Sequence, residues 1–191
     1  MLGQLPTSLD VGGVDYAIRT DYRNILRIFS AFNDPELSDS EKVYVCMKRL
    51  YVDFEKIPNG LYEQAYTAAT QFIECGMHED TPGPRTVNWD KDEQLIFPAV
   101  NKVAGTEVRS LSYLHWWTFL GYYQSIDHDG LFGFILTIRQ KKARGKKLEK
   151  YEQEFYRSNV NLCRIEDKPV PQKAEDTMKA MFDSLPEEGE T

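Results

Sequence analysis

The sequence predicts a mainly α-helical protein: a helical bundle of about seven helices with a small N-terminal β-hairpin and a flexible acidic C-terminal tail. Three observations carry this expectation. The run Leu111–Ile126, LSYLHWWTFLGYYQSI, holds ten large apolar or aromatic residues among sixteen and no formal charge unless His115 protonates. At about 100° per residue, Ser112, His115, Thr118 and Ser125 share one arc and the remaining positions are nearly all bulky, so a helix here is central and covered by several neighbours. Gly12-Gly13 lies between two short alternating segments, SLDV and VDYAI, the pattern of a tight hairpin. Glu166–Thr191 holds eight acids, three lysines and three prolines, which leaves too little apolar surface to offset chain ordering. The resulting boundaries are a helical domain with its hairpin over 1–165 and an acidic tail over 166–191.

Taken in order, the hairpin leads into a first helix capped by Thr20 or Asp21, with Tyr22, Ile25, Leu26, Phe29 and Phe32 at helical spacing until Asn33-Asp34-Pro35. Ser38 with Glu41 forms a capping box for a second helix, whose inward face is Val43, Cys46, Met47, Leu50 and Phe54. Pro58-Asn59-Gly60 interrupts the chain. A third helix turns Leu61, Ala65, Ala68, Phe72 and Ile73 inward and ends at Gly76, a left-handed cap. The stretch Gly76–Asp90, GMHEDTPGPRTVNWD, is the longest interior loop and reads as a mobile functional loop or a linker between two helical halves. From Lys91 a fourth helix carries Leu95, Ile96, Ala99, Val100 and Val103, with Pro98 set to kink it or delay its start. Gly105 ends it, and the central helix follows. Asp127–Gly130 is a turn, and a sixth helix carries Leu131, Phe134, Ile135 and Ile138. It runs into Arg139–Lys150, RQKKARGKKLEK, with seven basic residues and one acid. The last helix, Leu148–Asn159, offers Tyr151 and Phe155. Within the tail, Ala174, Met178, Met181, Phe182 and Leu185 recur at helical spacing, as in a docking helix.

Composition limits the function classes. With 41% hydrophobic and 13% aromatic residues in 191, the chain is globular and able to bury a sizeable core. A net charge of -7 opposes general nucleic-acid binding. Sixteen residues in the Leu111–Ile126 helix would span about 24 Å, short of a bilayer core, so no membrane span is expected. The opening MLGQLPTSLD has no basic region followed by an apolar run, and no secretory signal is expected. Cys46, Cys75 and Cys163 are widely spaced and odd in number, which favours reduced thiols.

No phosphate-binding glycine loop, nucleophile elbow or zincin helix is written in the chain. His78-Glu79-Asp80 and Asp127-His128-Asp129 contain metal-ligand types, but turn residues of this kind also cap and solvate backbone. His115, beside two tryptophans, reads as a buried, hydrogen-bonded structural histidine in preference to a general base. No catalytic residue, cofactor or metal is therefore expected. The candidate partner-binding residues are the apolar stripe Met178, Met181, Phe182 and Leu185 and the cations Arg139, Lys141, Lys142 and Arg144. Opposite charges in the basic run and the tail permit self-association.

LHWWTF at Leu114–Phe119, the apolar helix and basic turn after it, the YEQEF helix at Tyr151–Phe155, and the opening LDVGGVDYAI feeding TDYRNILRIF resemble a tail protein family of phages that infect Gram-positive bacteria. That family is numbered as the fifteenth gene product of its type phage. The resemblance covers about Leu5–Asn159 and has no counterpart for the acidic tail. It implies a tail assembly chaperone, not an enzyme, that keeps the long tape measure protein soluble while tail tube subunits assemble. The tail tube protein is then a second candidate partner. By the same resemblance the protein acts in the host cytoplasm during assembly and is absent from the mature virion. The alternatives are a small phage DNA-binding or regulatory protein acting through the basic turn, or a metal-dependent enzyme built on His115 and the Asp127-His128-Asp129 turn.

Overall fold

Both glycines of the first turn take left-handed backbone, Gly12 at φ 63° and Gly13 at φ 84°, as a primed hairpin turn requires. In the computed structural model, which describes residues 3–76, 84 and 86–165, this turn joins β1 (Ser8–Val11) to β2 (Val14–Ala17) as an antiparallel pair with Ser8 opposite Ala17 and Val11 opposite Val14. The turn lies against Leu61, whose Cδ1 would stand 2.8 Å from a Cβ added at Gly12. The described residues are mainly helical, with eight α-helices. They form two compact units, one within Met1–His78 and the other within Glu79–Asp167.

The first unit sets α1 (Tyr22–Asn33), α2 (Asp39–Leu50) and α3 (Tyr62–Ile73) around the hairpin. Asp21 caps α1, its carboxylate accepting from the backbone N–H of Arg23. The Ser38/Glu41 capping box closes in both directions at the start of α2. Tyr22, Ile25 and Ile28 bury the inner stripe of α1, so Ile28 joins the expected set while Leu26, Phe29 and Phe32 are half-buried. Phe54 belongs to a separate 3-10 turn, Phe54–Lys56, and not to the α2 face, because the helix ends at Tyr51. Tyr51 is fully buried and donates its hydroxyl to the Ala65 carbonyl at 2.7 Å. Its backbone bridges Ile18, fixing the end of the hairpin to the end of α2. In α3 it is Ala69 that is fully buried; Ala68 is half-buried. The helix closes with Gly76 N–H on the Gln71 carbonyl and Cys75 N–H on the Phe72 carbonyl, a Schellman arrangement that puts Cys75 at the left-handed position one residue before the glycine.

The second unit contains α4 (Glu93–Ala104), α5 (Trp116–Gln124), α6 (Leu131–Ala143), α7 (Lys150–Ser158) and α8 (Val160–Cys163). The central helix is shorter than its apolar run: it begins at Trp116, and His115 is its cap. Residues 111–115 are not helical, so that Leu114 and His115 are buried while Ser112 and Tyr113 face solvent. Around α5 lies an aromatic core. Trp116 is 1% exposed and stacks on Phe119 at 5.9 Å, and Trp89 packs on Trp116, Phe119 and Tyr123. Phe97, which the periodicity had not placed inward, meets Phe119 from α4. Pro98 sits inside α4 on its exposed side, where its missing N–H leaves only the Gln94 carbonyl without an intrahelical donor. The eighth helix, a single turn, arises because the chain breaks from α7 at Asn159. The tail over 166–191 and most of the stretch 77–85 lie outside the described residues.

Candidate functional site

The basic run begins inside the protein. Arg139 is two turns beyond Phe132 and one beyond Ile135 on the buried side of α6, so the geometry of the helix points its guanidinium inward. Its two terminal nitrogens grip Asp92 in a fork, Nη1 to Oδ2 at 2.6 Å and Nη2 to Oδ1 at 2.8 Å, with 2% and 1% of the two side chains exposed. The same nitrogens donate to the carbonyls of Thr86 (2.9 Å) and Leu162 (2.5 Å), and Asp92 Oδ2 also accepts from the Asn88 N–H. Arg139 thus ties the segment before α4 to α6 and α8. It presents no charge to a partner.

Past Arg139 the cations come to the surface. The α6 helix ends in a second Schellman turn, Lys146 N–H on the Lys141 carbonyl and Gly145 N–H on the Lys142 carbonyl, with Gly145 at φ 65°. This reversal and the reciprocal Glu149/Glu152 capping box lay α7 beside α6, with Phe134 stacked on Tyr151 and edge-on to Phe155. Lys141 donates to the buried Glu152 carboxylate at 2.6 Å. That hydrogen bond raises the Lys141 ammonium and holds the Glu152 carboxyl below its ordinary value. Lys142 lies over the Tyr156 ring, 4.2 Å from its centroid, and Arg144 is exposed.

Lys142, Lys146 and Arg157 line a cavity of about 370 Å³ whose other walls are Gly145, Leu148, Gln153 and Tyr156. None of the three cations has a carboxylate within ion-pair distance among the described residues. Three unneutralised cations around one cavity can hold an anionic group. Of the expected cations, then, Lys142 lines the cavity, Arg144 stands exposed on the same turn, Lys141 is paired, and Arg139 is buried. Lys146 and Arg157 were not singled out from sequence. The signal for Arg157 was its place one turn beyond Gln153 on α7. Met178, Met181, Phe182 and Leu185 lie outside the described residues.

A second surface, not anticipated from the sequence, is an apolar groove of about 320 Å³ between α4 and the chain that enters α6. Leu95, Ala99, Val103 and Ile126 line it half-buried, while Pro98 and Leu131 are exposed, Leu131 at 54%. Leu95, Ala99 and Val103 recur every four residues and were expected in the core. They instead make an open strip, because Ile96, Phe97 and Val100 take the side of α4 that meets α5. Lys102 and Asp127 close one rim as an exposed ion pair at 3.3 Å.

The remaining candidates are structural. His115 is 3% exposed, and its Nδ1 accepts from the Trp117 N–H at 3.0 Å, so the imidazole serves as the cap of α5. Asp127, His128 and Asp129 are exposed on their turn. Among the described residues no three metal-ligand side chains come together, and no helix is long and apolar enough to cross a membrane. The three cysteines are free thiols.

The described surfaces include the apolar groove, the cationic cavity and, in the first unit, a cavity of about 390 Å³ lined by Arg19, Asn24, Tyr44, Val45, Lys48 and Arg49. Over residues 1–162 the sequence matches the family described as Bacteriophage Gp15 protein, and the chain belongs to that family. No curated protein and no solved structure matches it. The family places the chain among phage structural or assembly-related proteins.

Proposed function

We propose that this protein is a phage tail assembly chaperone that binds the tape measure protein and keeps it soluble during tail tube assembly. The observation that carries this reading is the family match over residues 1–162, and the open groove of the second unit is the surface that suits it. A tape measure protein is a long helical client with repeated apolar stripes, and an amphipathic helix lays such a stripe into an apolar groove. Lys142 and Arg144, at the other end of α6 from Leu131, supply charge, with Lys141 committed to Glu152. Met178, Met181, Phe182 and Leu185 offer a second adaptable apolar contact. Binding and release are the whole of its chemistry. Several copies along one client, helped by self-association, cover more of it than one tight site would. The protein works in the host cytoplasm and leaves before the virion is complete, and the tail tube protein is its second candidate partner.

Co-expression with the tape measure protein tests this. The client is expected to stay soluble and to co-purify with several copies of this chain. A client that is equally soluble alone, or that retains none of this chain, overturns the reading.

A further inference from the structure

The cavity at the turn between α6 and α7 has three cations and no acid on its walls, and we infer that it is a site for a phosphate group carrying two or more negative charges. The inference concerns the second unit alone and does not rest on the chaperone reading. Lysines and arginines near a helix C-terminus ordinarily serve its last carbonyls. Here the backbone has already taken that part. The Gln140, Lys141 and Lys142 carbonyls accept from the N–H groups of Arg144, Lys146 and Gly145, and the Phe155 and Tyr156 carbonyls accept from Asn159. Lys142 lies over the Tyr156 ring and, like Lys146 and Arg157, donates no side-chain hydrogen bond among the described residues. Arg139 and Lys141, by contrast, are each neutralised by a carboxylate.

The chemistry of the walls selects the anion. One carboxylate neutralises one cation, as Glu152 does for Lys141, and would leave two of the three uncompensated. An esterified phosphate carries a charge of about -1.5 to -2 and three strong acceptor oxygens, which suits two ammonium groups and a guanidinium together. The Arg157 guanidinium is a planar fork that meets phosphate oxygens in pairs, while the lysines act as point charges. Gly145 sets the geometry: its left-handed backbone at φ 65° turns the chain so that Lys146 follows Lys142 round the cavity. Gln153 Nε2 donates to the Leu148 carbonyl at 2.9 Å, tying two of the walls together. A volume of about 370 Å³ is enough for a small ligand. Arg144, Lys147 and Lys150, exposed along the same run, add to the positive potential that draws an anion in.

Calorimetric titration of the full chain with sodium pyrophosphate at low ionic strength, where exposed charges are least screened, tests the proposal. Saturable binding is expected. Lys146→Gln and Arg157→Gln should each weaken it about fivefold, the upper end for an exposed charge pair, and the two together by more than about tenfold. Lys147→Gln and Lys150→Gln remove the same charge from residues that do not line the cavity, and should each change the affinity by less than about twofold. All four positions are exposed, and the melting midpoint checks that each variant is folded. Independently of any variant, the Arg157 Nε–H resonance of the isotope-labelled parent should shift as pyrophosphate is added. Phenyl phosphate separates the two sources of the group: affinity comparable to pyrophosphate assigns an esterified phosphate, and binding of pyrophosphate alone assigns a free one. No saturable binding, an unmoved Arg157 resonance, or equal losses at the cavity and control positions overturns the proposal. So does glutarate binding as tightly as pyrophosphate, which would make this a carboxylate site. A random DNA duplex whose affinity depends equally on all four cations overturns it as well, since the turn would then be a diffuse nucleic-acid face. Each of these failures leaves the co-expression result untouched, so the two readings stand or fall separately.

Discussion

Gly133 governs how closely the turn after α5 approaches α6. A Cβ there would lie 2.6 Å from both the Asp127 carbonyl oxygen and His128 Cα, and 2.8 Å from the His128 carbonyl, all backbone atoms that a rotamer change cannot move. Gly133→Ala is therefore expected to cost about 1–3 kcal/mol in spite of alanine's better helix propensity. A denaturant titration checks this, and an unchanged or raised midpoint would show that the turn yields freely. Cys46 offers a second test at this scale. Burial pushes its thiol up to about 12. The folded pKa lies above the unfolded one, so the stability it contributes is whole below about pH 9 and is lost as pH rises from there. At pH 8 the native protein should leave Cys46 unmodified by a thiol reagent that labels half-exposed Cys75, and mass mapping of the two sites reads the outcome. Single residues were legible in the sequence where local chemistry decides them. His115 was read as a buried, hydrogen-bonded residue from its apolar company, and Ser38 with Glu41 from their spacing. Arg139 was misread because six further cations follow it in the run, although its register with Phe132 and Ile135 marked the buried side. Trp89 was missed because it is the one large aromatic in a polar stretch, and only its tertiary neighbours reveal it as core.

Among the elements, those marked by a cap or a turn residue at one end were written plainly in the chain. The hairpin, α1, α2 and α3 begin or end at residues whose local chemistry permits little else. The central helix was overextended, since periodicity reports burial and cannot say that residues 111–115 are buried or exposed by a non-helical backbone. The element that tertiary structure imposes most strongly is the α6 clamp. Arg139 is the common donor to Asp92, Thr86 and Leu162, and Arg139→Met would leave the Asp92 carboxylate buried with only the Asn88 N–H. Breaking a buried pair on one side costs about 3–5 kcal/mol. The Asp92→Asn, Arg139→Met double variant should recover a good part of that loss, because no unpaired charge remains. All three tryptophans lie in residues 89–117, so fluorescence-monitored unfolding follows this unit directly. A single variant that unfolds with the parent would mean that solvent reaches Asp92 and that the clamp contributes little.

Over the whole molecule the charges are unevenly spread. The chain has 30 acids against 23 basic residues, and eight of the acids with only three lysines fall in Glu166–Thr191, so most of the acidic excess belongs to the tail. The exposed cations Lys142, Arg144, Lys146 and Arg157 are gathered at one turn and the end of α7. A client held by both surfaces feels two terms that salt separates. The screening length falls from about 10 Å at 0.1 M to about 3 Å at 1 M, which weakens contacts made by exposed cations and leaves apolar burial in place. Each exposed pair is worth about 0–1 kcal/mol, so the affinity for a tape measure segment should drop by roughly tenfold or less over that range and not vanish. Lys142→Glu with Lys146→Glu should flatten the salt dependence while leaving most of the binding. Leu131→Asp should do the reverse, weakening binding by roughly tenfold at every salt concentration through lost apolar burial. Titration of a purified tape measure segment at the two ionic strengths reads both effects. Complete loss of binding at 1 M salt would assign the client to the cationic turn and overturn the role of the groove.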